Sequence, residues 1–391
     1  RLDPNRPDAS RRLGRLYLRT GEPRRALANL QAAAPAPSFV ADATLQLDLA
    51  RAQQALGASE QAWSAIGRAL ELDADTPGLQ STLGELLLAR GEWLRAADAF
   101  ERVLRSDPTQ VSARVHAARA YFELGRPNLS ARHLESLNQV TRDGAAESLL
   151  LGRAYTALGQ HERALERLEH SARLEPNAEV DLTRAQSLRA LGRLPEAEEL
   201  LRDALTRKPD DAVSARELAA LLTVSGKHRE AADAFERATS LRPQDPAVRA
   251  ELGRAYARLE RTEEAAAAFA HAIRLGESSP QLQFELGVQL HTLERFFEAC
   301  EAYRAARKGG LEDRRCYQQL GAACVALARY EEAADAYEAA VRLDPNNVQL
   351  RFALAVCHHQ QGRGDLAMTQ YRAIRPLDNG VAERLFKIVN G

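Results

Sequence analysis

The chain has 391 residues, with 53 Lys+Arg against 54 Asp+Glu and a net charge of −1. That length is more than one ordinary hydrophobic core organises, so internal repeats are the first thing to test. The near-neutral balance argues against a dedicated nucleic-acid or anionic-membrane binder, which usually carries a basic excess, and no apolar run is long enough for a membrane-crossing helix.

In chain order, Arg1-Leu2-Asp3-Pro4-Asn5 reproduces Arg342–Asn346. Residues 1–6 therefore read as the tail of a preceding, truncated unit, and the chain as a piece of something longer. Leu13–Tyr17 then recurs in close form at Ala117–Tyr121, Leu151–Tyr155 and Leu252–Tyr256. Aligning these stretches gives eleven units, starting at residues 7, 43, 77, 111, 145, 178, 212, 246, 280, 314 and 348. The step is 34 residues apart from one of 36 and one of 33, the period of a helix–turn–helix repeat. Residues 7–380 are expected to form one solenoid of eleven units. Residues 381–391 are expected to form a capping helix, with Leu385, Phe386 and Ile388 covering the last apolar face.

Each unit carries the same residue types at the same places. Position 8 is always Gly or Ala, and position 20 is Ala in ten units and Ser130 in the other. Small residues there let two helices approach closely. Position 24 is always large, from Leu30 to Phe100 and Tyr371, and is expected to fill the space between neighbouring units. Position 15 is Gly in eight units and should end the first helix, because glycine accepts the left-handed conformation. Proline at position 32, as in Pro108 and Pro345, stops the second helix.

These residues resemble the tetratricopeptide repeat (TPR) family over about residues 7–375. The resemblance implies an all-α fold: an α-solenoid of stacked antiparallel helix pairs, wound as a right-handed superhelix. The departures are local. The first unit has a two-residue insertion near Pro35 and Pro37, the sixth has Arg184 where Leu is usual, and Glu260, Glu294 and Ala328 replace the turn glycine.

No phosphate loop, nucleophile elbow or metalloprotease signature is present, so no enzyme and no cofactor is expected. Cys324, Cys357, His358 and His359, with His291, are the best metal candidates, since thiolate and imidazole suit zinc. Their spacing closes no tetrahedral set. The four cysteines are read as reduced, partly buried core thiols and the imidazoles as surface groups. The acidic pairs Glu263-Glu264 and Glu331-Glu332 suit helix N-termini better than acid–base catalysis.

In the TPR family the first helix of each unit lines the concave wall, through positions that include 5, 9 and 12. By resemblance, the partner-binding residues here are Arg15, Arg51, Arg119, Arg153 and Arg254, then Phe284, Val288, His291, Phe352, Val356 and His359. The arginines suit an acidic protein or peptide; the later residues suit an apolar one. Alternatively the arginines only pair with nearby acids such as Glu85 or Glu217. No unit has Asn at position 6 or 9, which argues against the family's chaperone-tail carboxylate clamp. The expected function is a protein–protein interaction scaffold without nucleic-acid partners or membrane insertion. The rivals are the docking arm of a larger enzyme, as in O-linked N-acetylglucosamine transferases, and an architectural subunit of an envelope complex.

Overall fold

The computed structural model describes residues 6–137 and 144–390. Among them are 23 α-helices, one 3-10 turn and no strand. Arg1–Asn5, the pentapeptide read as the end of an earlier unit, lies outside the described residues. The chain divides into two compact units, residues 1–193 and 194–391.

In the first unit, antiparallel hairpins follow one another. They are α1 (Pro7–Arg19) with α2 (Pro23–Ala33), α3 (Ala43–Ala55) with α4 (Ser59–Leu72), α5 (Leu79–Ala89) with α6 (Trp93–Ser106), α7 (Val111–Glu123) with α8 (Pro127–Glu135), and α9 (Ala145–Ala157) with α10 (His161–Leu174). The last helix is α11 (Ala178–Ala190). The second unit opens on α12 (Leu194–Arg207). Its hairpins are α13 (Ala212–Val224) with α14 (His228–Leu241), α15 (Pro246–Arg258) with α16 (Thr262–Arg274), α17 (Pro280–Thr292) with α18 (Phe296–Lys308), α19 (Arg314–Ala326) with α20 (Tyr330–Leu343), and α21 (Val348–Gln360) with α22 (Gly364–Ile374). The final helix is α23 (Asn379–Asn390).

Ten of the eleven odd-numbered helices from α1 to α21 start at the residue where the period places a repeat; the exception is α5, at Leu79 behind left-handed Gly78. The starts are set by chemistry. Asp42, Asn177, Asp211, Asp245, Ser279, Asp313 and Asn347 each accept a hydrogen bond from a backbone N–H of the first turn that follows. The ends are set at position 15, where glycines such as Gly91 and Gly159 take φ of 73° and 72°. Glu260, Glu294 and Ala328 hold the same left-handed conformation, at 58°, 57° and 56°. The turn geometry therefore survives loss of the glycine, with the strain a Cβ brings there.

Position 24 does something the sequence did not disclose: it fills its own hairpin. A Cβ built on Gly84 would stand 2.7 Å from Phe100 Cζ, and one on Gly253 2.6 Å from Phe269 Cδ1. The glycine is thus a slot for the large side chain of the partner helix. The same side chain also reaches forward, as when the Phe100 ring lies 5.1 Å from that of His116. The two-residue insertion of the first repeat forms the 3-10 turn Pro37–Phe39 and buries Phe39 beneath Arg11. At the other end α23 packs on α21 and α22 and buries Val381, Ala382 and Leu385. Phe386 and Ile388, expected to cover that face, are 45% and 42% exposed. They sit on either flank of the buried stripe, which runs through residues 381, 382 and 385.

Candidate functional site

In the first unit α1, α3, α5, α7, α9 and α11 each touch the next in the series. The row in which successive first helices touch is the inner row of stacked hairpins. Clefts open along it. One of about 500 Å³ is lined by Arg15, Leu18, Thr44, Asp48 and Arg51. A second, about 600 Å³, is lined by Arg51, Gln54, Ser81, Thr82, Glu85 and Gln110. Arg51 borders both.

The five expected arginines have different fates. The Arg15 guanidinium lies 2.5 Å from Asp48, whose carboxylate is buried. Arg153 pairs with Glu179 at 2.8 Å and lies over the Phe122 ring at 4.6 Å. In the second unit Arg254 pairs with Glu285 at 2.9 Å. Pairing with neighbouring acids, the alternative reading, thus holds for these three; Glu85 is not among the partners and accepts instead from the Gln54 amide at 3.1 Å. Asp48 and Glu285 stand at position 6 of the following repeat, so these pairs clip one hairpin to the next. Arg216 and Glu251 make the same kind of clip, with two bonds of 2.9 Å.

Arg51 has Thr82 at that place instead of an acid. Its Nε donates to Thr82 Oγ1 at 3.1 Å and a terminal nitrogen donates to the Gly78 carbonyl at 3.4 Å. Arg51 is half-buried, and both of its bonds are to neutral groups. At Arg119 the corresponding residue is Leu150, and the guanidinium is exposed. The stripe of five therefore reduces to two guanidinium groups free of acidic partners, Arg51 and Arg119.

The apolar half of the expected site is shared between packing and surface, each of its apolar side chains being half-buried. Phe284 and Val288 pack against the buried cluster around Tyr303, with the Phe284 and Tyr303 rings 5.8 Å apart. His291 stands edge-on to Phe296 at 5.2 Å, and burial lowers its pKa. Phe352 and Val356 pack against the cluster that α23 completes with Val381 and Leu385. His359 is half-exposed. Here the last helix, expected as a cap, lies against residues also expected to bind a partner.

The metal candidates do not assemble. Among the described residues no three His, Cys, Asp or Glu side chains converge on one point. All four cysteines are fully buried. His358, read as a surface imidazole, is 3% exposed; burial lowers its pKa against the pull of Glu338. Glu263 and Glu264 lie in the first turn of α16, and Glu331 and Glu332 in that of α20.

One set of contacts was missed. The Tyr121, Tyr155 and Tyr256 hydroxyls donate to Glu101, Glu135 and Glu236 at 3.1, 2.6 and 2.7 Å. Burial, reinforced by each carboxylate, pushes all three phenols up to about 12. Arg163 and Arg261 lie over the second and third rings at 4.2 and 4.3 Å. The signal was present: Tyr at position 11 always follows Glu at position 25 of the preceding repeat at these places.

Models of the tetratricopeptide repeat match residues 87–150, 149–212, 217–280, 253–312 and 320–382. No curated protein matches the chain. Among solved structures, a tetratricopeptide repeat protein from Parabacteroides merdae is 16% identical, covering 63% of this chain and 98% of its own, with a TM-score of 0.52. YrrB, described as a TPR protein with an unusual peptide-binding site, is 21% identical over 49% of this chain and 99% of its own, with a TM-score of 0.45. Pseudomonas aeruginosa pilF is 20% identical over 53% of this chain and 95% of its own, with a TM-score of 0.45.

Proposed function

We infer the role of this chain from one premise: it belongs to the tetratricopeptide repeat family. Repeats of this family are protein–protein interaction scaffolds, typically non-catalytic, and bind protein or peptide partners. No helix among the described residues is long and apolar enough to cross a membrane. Beyond that general role, we propose that the first unit binds an extended acidic peptide along its inner row of helices, with a carboxylate seated on Arg51.

The observation that supports this is the state of Arg51. A guanidinium offers five donors in a fixed fork that matches a carboxylate. Arg15 and Arg254 have satisfied theirs with acids of the next hairpin. Arg51 is held by a hydroxyl and a carbonyl, so its orientation is fixed while its charge is not compensated. It borders two open clefts whose lining includes the hydroxyls of Thr44, Ser81 and Thr82. Arg119, two hairpins further on, supplies a second cation along the same row. Side chains held on rigid helices lose little freedom when a ligand arrives.

The test is fluorescence anisotropy with a labelled Asp- and Glu-rich peptide and its Asn/Gln counterpart. The acidic peptide should bind at least tenfold more tightly, with affinity falling as salt rises. Arg51→Gln should weaken it about tenfold and Arg119→Gln less. Equal affinity for the two peptides, or an unaffected Arg51→Gln, would refute the assignment.

A further inference from the structure

The second unit holds a pair of thiols that its scaffold role does not use. Cys300 on α18 and Cys324 on α19 are both fully buried, with their sulfurs 3.6 Å apart. They belong to consecutive hairpins, so the contact lies on a seam between repeats. At three other seams position 21 is Ala97, Ala131 or Ala232 and the following position 11 is Tyr121, Tyr155 or Tyr256: a small residue before a large one. Here alone two thiols replace that combination. The other cysteines have no such partner: Cys316 donates its thiol to the Tyr303 carbonyl, 3.8 Å away, and Cys357 is buried.

We propose that Cys300 and Cys324 form a reversible disulfide that latches α18 to α19, with hydrogen peroxide or a small organic peroxide as oxidant. A disulfide needs the sulfurs at about 2.05 Å, so the pair must close by about 1.5 Å, through side-chain rotation and a slight approach of the helices. The chemistry balances. The Cys300 thiolate attacks a peroxide oxygen, which leaves a sulfenic acid on Cys300; the departing hydroxide, or alkoxide from an organic peroxide, takes up the proton the thiol gave and leaves as water or an alcohol. The Cys324 sulfur then attacks the sulfenic sulfur, forms the S–S bond and expels water. Two thiols lose two hydrogens and two electrons, and one peroxide is reduced. The hydrogen bond from Cys324 lowers the Cys300 thiol pKa, against the upward push of burial and with help from Arg304 and Arg329. Cys300 is therefore the better first nucleophile.

The latch joins two successive repeats next to the surface that carries Phe284 and Val288. Its effect is to stiffen this part of the second unit without changing any exposed side chain.

The folded, full chain is treated with hydrogen peroxide, free thiols are alkylated, and peptides are analysed by mass spectrometry without reduction. The expected result is a peptide pair joined through Cys300 and Cys324, about two mass units lighter than the separate thiols, and released by dithiothreitol. Cys316→Ser and Cys357→Ala should leave the cross-link in place. Cys300→Ala, which places there the residue that Ala97, Ala131 and Ala232 supply at other seams, should abolish it. Hydrogen exchange in α18 and α19 should slow severalfold on oxidation, while that in α13 stays unchanged. The proposal is overturned if oxidation gives only separate sulfenic or sulfinic acids, if the cross-link forms only after denaturation, or if exchange in α18 and α19 is unaltered.

Discussion

Gly84 should be intolerant of a single methyl group, and the expected cost follows from the distances. An alanine Cβ at this position would meet Phe100 Cζ at 2.7 Å and both Cε atoms at 2.9 Å. That is about 0.8 Å short of a relaxed carbon contact. Phe100 is fully buried, so its ring cannot swing into solvent. Overpacking of this kind costs about 1–3 kcal/mol. Alanine returns about 0.5–1 kcal/mol through helix propensity, leaving a net loss of about 1 kcal/mol. Gly67, in the middle of α4, is the matched control, because nothing lies within 4 Å of its added Cβ. Gly67→Ala should therefore stabilise by about 0.5–1 kcal/mol. Urea denaturation of the two variants should separate them by about 2 kcal/mol, with opposite signs relative to the parent. Phe100→Leu should cost less in the Gly84→Ala background than alone, since leucine stands opposite alanine in two other repeats, Leu134 with Ala118 and Leu201 with Ala185. If Gly84→Ala stabilises as much as Gly67→Ala does, the slot is not a constraint and the packing argument fails.

Ala328→Gly should raise stability by about 0.5–1 kcal/mol, because it removes a Cβ from a left-handed turn whose equivalents are mostly glycine; a thermal melt with no rise would contradict this. Asp42→Ala should cost about 1 kcal/mol by removing the cap of α3, seen as faster hydrogen exchange in its first turn. Burial alone would raise the Asp42 carboxyl, but hydrogen bonds from Thr44 and the Leu45 N–H, together with the Arg11 guanidinium, hold it below its usual range. A depressed folded pKa means its contribution is full above about pH 4 and is lost as pH falls further. The penalty of Asp42→Ala should accordingly shrink in acid, and a penalty that grew there would reverse the sign of the argument. In peptide binding, Arg15→Gln should matter less than Arg51→Gln, since Arg15 is already paired with Asp48; anisotropy titrations of both variants decide it.

The sequence disclosed the repeat starts because period, caps and turn glycines agree at each unit: Asp211, Ala212 and Gly226 fix one hairpin almost without tertiary help. What it concealed were contacts whose members lie in different repeats. Arg15 was placed on the inner row by analogy, yet its partner Asp48 is 33 residues away, and only alignment of position 9 with the next position 6 brings them together. The same device would have found Tyr155 with Glu135 and Cys324 with Cys300. Phe352 and Val356 are half-covered by the terminal helix, and the sequence did not show which face of α23 would turn inward. Helical spacing alone does not fix the rotation of an end helix: Leu385 is buried in the cover, while Phe386 lies at its flank with its ring 5.5 Å from that of Tyr371.

The three turns at Glu260, Glu294 and Ala328 follow one another through the second unit, each holding a Cβ where the other hairpins have a hydrogen. Folding must hold these bends against their own preference, so the hairpins they join lie nearer to opening than their neighbours. Should the chain ever be pulled from its ends or offered to a protease, this stretch is where it would first give way.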